Sequence, residues 1–573
     1  MIQKVRVQTT GQSNIKVYRL EGILVKDAKI LAERLLSEKI NQKYTINQSI
    51  TSKVTEVAYK PGVMNPEVSS IIKAASDLGI KLIACDSSIE YTDKKFAFNP
   101  LIEHVVMEEP KTLIIKGKPG KTQIVTIRNL SNQELLDLSK DALFLNLEEM
   151  QAIQKYFQKI KRDPTDLELE TLAQTWSEHS GHKTFRAELL VEGKKKESLI
   201  KRLKKEALKH DKNIVSAFVD NSGVMDFYDG FGICGKVETH NSPSAIEPYG
   251  GAMTGSGGVF RDIAATGKGA KNIASTDIFV FAPVDLPEKE LPAGCLPPEY
   301  LLKRVVAGVR DYGNRMGIPT NNGSVHFHKD FRARPTVIVG AFGIVPKKYA
   351  VKEKPKIGDL IVSVGGRTGR DGIHGATFSS GEMTDKTIEV HSSAVQIGNA
   401  IEEKRMFDAL LDARDLNLIR LVQDCGGGGF SSAIGEIGEE LGVSVDLKEA
   451  PLKYEGLAPW EVWVSESQER MIVVLEKKNL KRFENICNQY NVEMAVLGKF
   501  DGNKKLSVYY DGKLVGNLEM EFLHQGLPRR IMKATKPDYS SNEVRSSRSA
   551  RTVNPPKSQN EWIKTLGKVL AHG

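Results

Sequence analysis

The sequence predicts an α/β (α+β) chain of several domains. Two observations predict this. Short segments such as Gly232–His240 carry alternating side chains suited to strands, whereas longer ones such as Leu147–Ile160 place apolar residues at helical spacing. The two kinds interleave along all 573 residues, which at roughly 150 residues per domain makes about four domains.

The first module covers residues 1–95. Val5–Val7, Ile15–Tyr18, Val54–Ala58 and Lys81–Ala84 read as strands, and Lys26–Lys39 and Val68–Leu78 as helices. Strand-helix-strand occurs twice, so a duplicated, ferredoxin-like small domain with an accessory role is expected. Residues 96–163 form a connector, with a hairpin expected from Leu113–Lys116 and Gln123–Ile127 and a helix at Leu147–Ile160. Gly117–Thr122 imitates a phosphate-binding loop. It has two residues between its glycines where the motif needs four, and a strand-like segment follows, so it reads as a turn. Thr165 and Glu168 form a capping box for a helix whose apolar stripe includes Leu169, Leu172 and Trp176 and which ends at Gly181. Residues 213–348 are glycine-rich, with strands at Gly232–His240, Thr276–Phe281 and Val337–Val345, and residues 349–530 open on a strand at Asp359–Val364. Residues 531–573 are a polar tail ending in a short helix, Glu561–Leu570.

Composition excludes several classes. Lysine and arginine exceed aspartate and glutamate by 81 − 72 = 9, a mild excess for this length. The basic run Lys194–His210 lacks interleaved aromatics and reads as a solvated helix, with nucleic-acid or membrane binding as its alternative. No apolar stretch approaches the ~20 residues of a membrane span, and the N-terminal residues lack a signal-type apolar core, so a cytoplasmic protein is expected. Cys85, Cys234, Cys295, Cys425 and Cys487 are scattered and contain no CxxC pair, which excludes a disulfide scaffold or a zinc finger of usual spacing.

Four islands carry chemistry. Ser177–Lys183 sets His179 and His182 beside a lysine at a helix end. Lys236, Glu238 and His240 share one strand face. This grouping is costly to bury and suits a nucleotide: lysine for phosphate, glutamate for Mg²⁺, histidine for proton transfer. A solvated face with chance charges is the alternative. Gly251, Gly255 and Gly258 leave one helix face bare for close packing, followed by Arg261 for an anion and Asp262 for a hard cation, or else an ion pair capping the helix. In the second half, Gln396 precedes a helix, Asp424 opens a four-glycine loop, Gly365–Gly375 forms another loop, and Glu466-Ser467-Gln468 is placed just after a strand.

These islands resemble the formylglycinamide ribonucleotide amidotransferase (phosphoribosylformylglycinamidine synthase) family of purine biosynthesis. The likeness runs over TDLELETLAQTWSEHSGHKTF, GKVETHNSPSAIEPYGGAMTGSGGVFRDI, GRDGIHGATFSS, QDCGGGGFSSAIGE and SESQERM. YKPGVMNPEVSSIIKAASDLGI resembles the family's small accessory subunit, here fused at the N-terminus. The resemblance implies aminoimidazole ribonucleotide synthetase-like domains A1 (164–348) and B1 (349–530). It implies His179 and His240 as catalytic residues, His240 being the proton acceptor, and His182 and Lys236 as ATP contacts. Glu238, Asp262 and Asp424 would be Mg²⁺ ligands. Thr239, His240, Asn241, Ser242, Arg261, Gln396, Glu466, Ser467 and Gln468 would line the ribonucleotide site. Ser180 stands where the family often has cysteine, and Ser242 where a histidine is frequent. The implied reaction uses ATP to activate the amide of formylglycinamide ribonucleotide as an iminophosphate, which ammonia from a separate glutaminase subunit converts to the amidine. The family's second half, A2–B2, is absent from this sequence; a second chain carrying it is expected, with truncation and self-association as the alternatives. The alternatives are another ATP-dependent enzyme of the superfamily, a non-catalytic scaffold half, and a nucleic-acid binder.

Overall fold

The computed structural model describes residues 1–61, 63, 65–92, 103–140, 142–375 and 398–535. Gln396, the end of the GRDGIHGATFSS motif and the polar tail beyond residue 535 lie outside the described residues. The chain divides into two compact units. The larger comprises Met1–Lys183 and Lys204–Pro528; the smaller comprises Thr184–Leu203 and the segment from Arg529 onward. Described strands of the smaller unit form a three-stranded sheet in the order Ile531–Ala534, Glu188–Val191, Lys194–Lys196. The basic helix is shorter than expected, Leu199–Ala207, and buries none of its residues, as a solvated helix should.

Three six- or seven-stranded sheets build the larger unit. The N-terminal sheet has the order Gln42–Ile46, Ile2–Thr9, Asn14–Glu21, Ala84–Tyr91, Thr55–Tyr59, Glu103–Val105, antiparallel throughout. Its helices, Val25–Leu31 continued by a π turn and Pro66–Asp77, cover a core of Val5, Val7, Leu20, Leu31, Ile71 and Ala75. The last strand is Ala84–Tyr91 rather than Lys81–Ala84, because the chain leaves the helix through Gly79 in the left-handed region and only then extends. The first strand-helix-strand unit spans Asn14–Glu21 to Gln42–Ile46 and encloses Ile2–Thr9. In the second unit, Thr55–Tyr59 and Ala84–Tyr91 are direct antiparallel neighbours, so the two units are not equivalent repeats.

Among the described residues the connector forms no hairpin. Residues 113–127 run as an irregular strap, with one bridge from Ile124 to Thr165. A β-carbon on Gly117 would lie 2.8 Å from Gly456, so here the glycines serve a close backbone approach.

The second sheet follows the order Thr320–Phe327, Lys271–Phe281, Thr336–Pro346, Phe231–Thr239, Gly223–Asp226, Ile214–Ser216. The third follows Ile419–Asp424, Arg470–Leu475, Leu360–Gly365, Met494–Phe500, Val443–Asp446, Lys505–Tyr510, Lys513–Glu519. One continuous core joins Phe260, Ile263, Tyr312, Val339, Val364, Met406 and Val473. A second joins Trp176, Phe157, Ile361, Phe430 and Trp463. Residues 213–348 and 349–530 therefore share a hydrophobic interior. Among the described residues no helix is long and apolar enough to cross a membrane.

Candidate functional site

Helix Pro248–Ala264 lies against strand Phe231–Thr239, and its bare face makes this possible. A β-carbon on Gly251 would lie 2.6 Å from the backbone of Pro243 and Ser244, and one on Gly255 would lie 3.0 Å from Cβ of His240. At Gly258 the nearest atoms are both carboxylate oxygens of Glu238, at 3.6 Å. Lys236 reaches Asp262, on the same helix, at 3.4 Å. Lys236, Glu238 and His240 therefore face one helix, as strand alternation predicts.

Strand Ile419–Asp424 brings the third carboxylate. The Asn221 side-chain amide donates to Asp262 at 3.1 Å and also to Asp424. Burial, with Asp424 and Glu238 close by, pushes the Asp262 carboxyl well above its ordinary range, against the pull of Lys236 and Asn221. Burial alone would lower Lys236, but Asp262, Glu238 and Asp424 raise it. Glu436 is pushed up to about 7 by burial and by Asp424. Four carboxylates, Glu238, Asp262, Asp424 and Glu436, and Lys236 thus share one electrostatic environment. Among the described residues, no three His, Cys, Asp or Glu side chains converge closely enough to form a ready-made metal cage.

His240 is lowered by burial and further by His179 and Arg261, with Glu238 opposing. An imidazole neutral at pH 7 can accept a proton. His179 and His182 are exposed, and His182 adopts φ 48° as the left-handed cap of Glu178–Gly181. The capped helix stops at Thr175 rather than Gly181, because Ser177 accepts from Ser180 N and starts a new turn that presents both histidines. Trp176 anchors the break by donating to the Leu523 carbonyl at 2.8 Å.

The Glu466-Ser467-Gln468 segment follows helix Pro459–Val464 and precedes strand Arg470–Leu475, so the strand comes after it and not before. Glu466 accepts from Gly428 N of the four-glycine loop at 3.2 Å. That loop requires its glycines: Gly429 has φ 56°, and a β-carbon there would lie 1.9 Å from the Ser465 carbonyl oxygen. Gln468 accepts from Arg261. Ser467 is fully buried; its hydroxyl accepts from Gly369 N at 2.9 Å and donates to Asp371, so it braces the Gly365–Gly375 loop. Asn241 accepts from Val337 N at 2.8 Å, Ser242 is buried, and Thr239 is exposed at the strand end. Arg261 is 1% exposed and paired with Glu403 at 2.8 Å, an ion pair inside the molecule rather than a cap of its own helix. Gln396 lies outside the described residues.

Sequence reasoning missed Asn221, Lys352, Glu436, Glu170 and His374. His374 lies within the quoted GRDGIHG run and pairs with Glu170 at 3.0 Å while stacking on Trp460. Glu170 lies on the capped helix, 204 residues from His374, a separation that leaves no local pattern. Asn221 and Lys352 are isolated polar residues far from any motif.

Family models match three stretches of the chain. Residues 219–345 match the AIR synthase related protein N-terminal domain, residues 356–511 its C-terminal domain, and residues 137–183 the formylglycinamide ribonucleotide amidotransferase linker domain. The phosphoribosylformylglycinamidine synthase subunit PurL of Picrophilus torridus is 40% identical over 400 residues, 69% of this chain and 51% of the relative. The chain belongs to the PurL family. The PurL subunit of Thermoplasma volcanium is 39% identical over 70% of this chain and 51% of its own length. The chain thus spans about half the length of the curated PurL relatives it matches. Among solved structures, T. maritima PurL complexed with FGAR superimposes with a TM-score of 0.53 at 30% identity, covering 68% of this chain and 57% of that one. T. maritima PurL complexed with ATP gives 0.53 at 28% identity over the same shares. The T. maritima PurLQS structure gives 0.52 at 27% identity, over 67% of this chain and 56% of that one.

Proposed function

We propose that this chain is the A1–B1 half of a formylglycinamide ribonucleotide amidotransferase. It would convert formylglycinamide ribonucleotide to the formylglycinamidine with ATP and ammonia, in the cytoplasm, together with a glutaminase subunit and a second chain carrying the A2–B2 half. The observation that carries this reading is the convergence of Lys236, Glu238, His240, Asp262 and Asp424 on one glycine-faced helix in a PurL-family chain.

An amide carbonyl resists ammonia because its oxygen leaves poorly. Phosphorylating that oxygen gives an iminophosphate, from which phosphate departs. Lys236 would hold transferring phosphate oxygens, and His182 would contact ATP from its exposed turn. His240, poised neutral, would take the proton from the attacking ammonia, with the exposed His179 on the same side of the site. Thr239, Asn241, Ser242, Gln396 and the Glu466–Gln468 segment would frame the ribonucleotide, with Arg261 acting through its bond to Gln468. The hard oxygen donors Glu238, Asp262 and Asp424 fit Mg²⁺, since two of them already converge on one amide group. Bound there, Mg²⁺ would neutralise phosphate charge.

The test follows oxygen. Substrate labelled with ¹⁸O at the amide carbonyl, turned over by the reconstituted enzyme, should deliver its label to inorganic phosphate. Label retained in the organic product, or released to water, would contradict an iminophosphate.

A further inference from the structure

Asn221 occupies an unusual position. Its Nδ2 donates to Asp262 Oδ1 at 3.1 Å and to Oδ1 of Asp424, from two different domains. Its Oδ1 accepts from Lys352 at 2.8 Å, and its backbone carbonyl accepts from Lys236 at 3.3 Å. The amide orientation follows from chemistry: a lysine only donates, so the amide oxygen faces Lys352 and its nitrogen faces the aspartates. Lys352 is itself fixed by Asp220 at 2.7 Å and Gln423 at 2.6 Å, and Asp220 in turn accepts from Gly267 N at 2.8 Å. The amide is therefore braced from behind and is not a loose surface side chain.

One NH₂ group shared by two carboxylates sits where an ion bridging them would sit. Its partial positive charge offsets part of their repulsion, as a cation would do more strongly. We propose that Asn221 is a place-holder that competes with a divalent cation for Asp262 and Asp424. Binding of the ion is then coupled to release of the amide, and Lys352 sets how firmly the amide resists. Asn221 is a positioning residue. It holds the two carboxyl groups together while the ion is away, and it weakens the ion's grip to a level from which the ion can exchange. This inference rests on the reading that Asp262 and Asp424 hold a divalent cation.

The experiment is titration of the full chain with Mn²⁺, with free ion followed by electron paramagnetic resonance and no turnover required. Wild type, Asp424→Asn, Asn221→Ala and Asn221→Ser are compared, with circular dichroism melts confirming folding; the serine variant covers the case in which alanine fails to fold. Asp424→Asn should lose the site. Both Asn221 variants should bind Mn²⁺ roughly tenfold more tightly, since a hydrogen bond to a charged group no longer has to break. Asp424-dependent binding that is unchanged or weaker in the Asn221 variants would overturn the place-holder role while leaving the cation reading standing. Absence of any Asp424-dependent binding in wild type would overturn both.

Discussion

Arg261 donates to Glu403 at 2.8 Å, and both side chains are withdrawn from solvent, 2% and 0% exposed. One comes from helix Pro248–Ala264 and the other from helix Ala400–Asp415, so the pair ties residues 213–348 to residues 349–530. The same guanidinium holds Gln468. Burial raises Glu403 to about 8 even beside the arginine, which marks a dry environment.

Removing one partner of that pair strands the other. Glu403→Ala should destabilise the protein by about 3–5 kcal/mol, and Glu403→Gln, which keeps a hydrogen-bonding oxygen, by less. Urea unfolding curves of the two variants check this; equal and small losses would show that the pair contributes little.

Gly251→Ala should cost about 1–3 kcal/mol, because its β-carbon would press on the backbone of Pro243 and Ser244, which cannot rotate away. The displaced segment carries His240 and Asn241, so activity should fall further than stability. Melting temperature and turnover measured together separate the two effects.

Asp424→Asn and Glu238→Gln should each abolish ATP-dependent amidine formation by orders of magnitude while the far-ultraviolet spectrum stays native. Near-normal turnover of either at saturating Mg²⁺ would remove that residue from the metal assignment.

Burial alone would lower His374, but its hydrogen bond to Glu170 and the charges of Glu170 and Glu466 raise it. A raised histidine stabilises the fold most below its unfolded value of about 6.5, and that contribution is lost as pH rises through the folded value. The melting-temperature gap between wild type and Glu170→Gln should therefore be wider near about pH 6 than near about pH 9. A gap independent of pH would show that the imidazole carries no proton in that pair.

Cys85, Cys234, Cys425 and Cys487 are buried, with thiols pushed up to about 12, 11, 12 and 12, whereas Cys295 is partly exposed and raised less. Native protein treated with iodoacetamide should be modified first at Cys295, and peptide mass spectrometry reads the position. Rapid modification at Cys425 would show that the four-glycine loop opens.

Much of the site was legible in the sequence because short-range periodicity fixes which side chains share a face. Lys236, Glu238 and His240 alternate on a strand, and Gly251, Gly255 and Gly258 fall on one helix face; both patterns survive folding. The Thr165–Glu168 box likewise specified its helix start. Contacts made across 40 or more residues left no local trace. Asn221 meets Asp424 over 203 positions and Arg261 meets Glu403 over 142, and neither spacing carries a period. The missing hairpin at 113–127 has a similar cause: the backbone at Gln123–Val125 pairs with Pro164–Asp166, while Leu113 N donates to the Glu21 carboxylate, so the two strand-like runs never meet. The place of Glu466–Gln468 before a strand was misread because a single turn of helix, Pro459–Val464, resembles a buried strand in its apolar run.

Under the proposed function this chain supplies one half of a synthetase. The most direct measurement is amidine formation from formylglycinamide ribonucleotide, ATP and ammonium salt, with the purified chain alone and after adding a chain that carries the A2–B2 half. Little product is expected from the chain alone, because an incompletely enclosed phosphoryl group is badly oriented and orientation is worth ~7–11 kcal/mol of barrier. Ammonium-dependent synthesis is expected once both halves are present, and glutamine-dependent synthesis when a glutaminase subunit is added. Full ammonium-dependent synthesis by the isolated chain, eluting as a monomer, would show that no second half is needed.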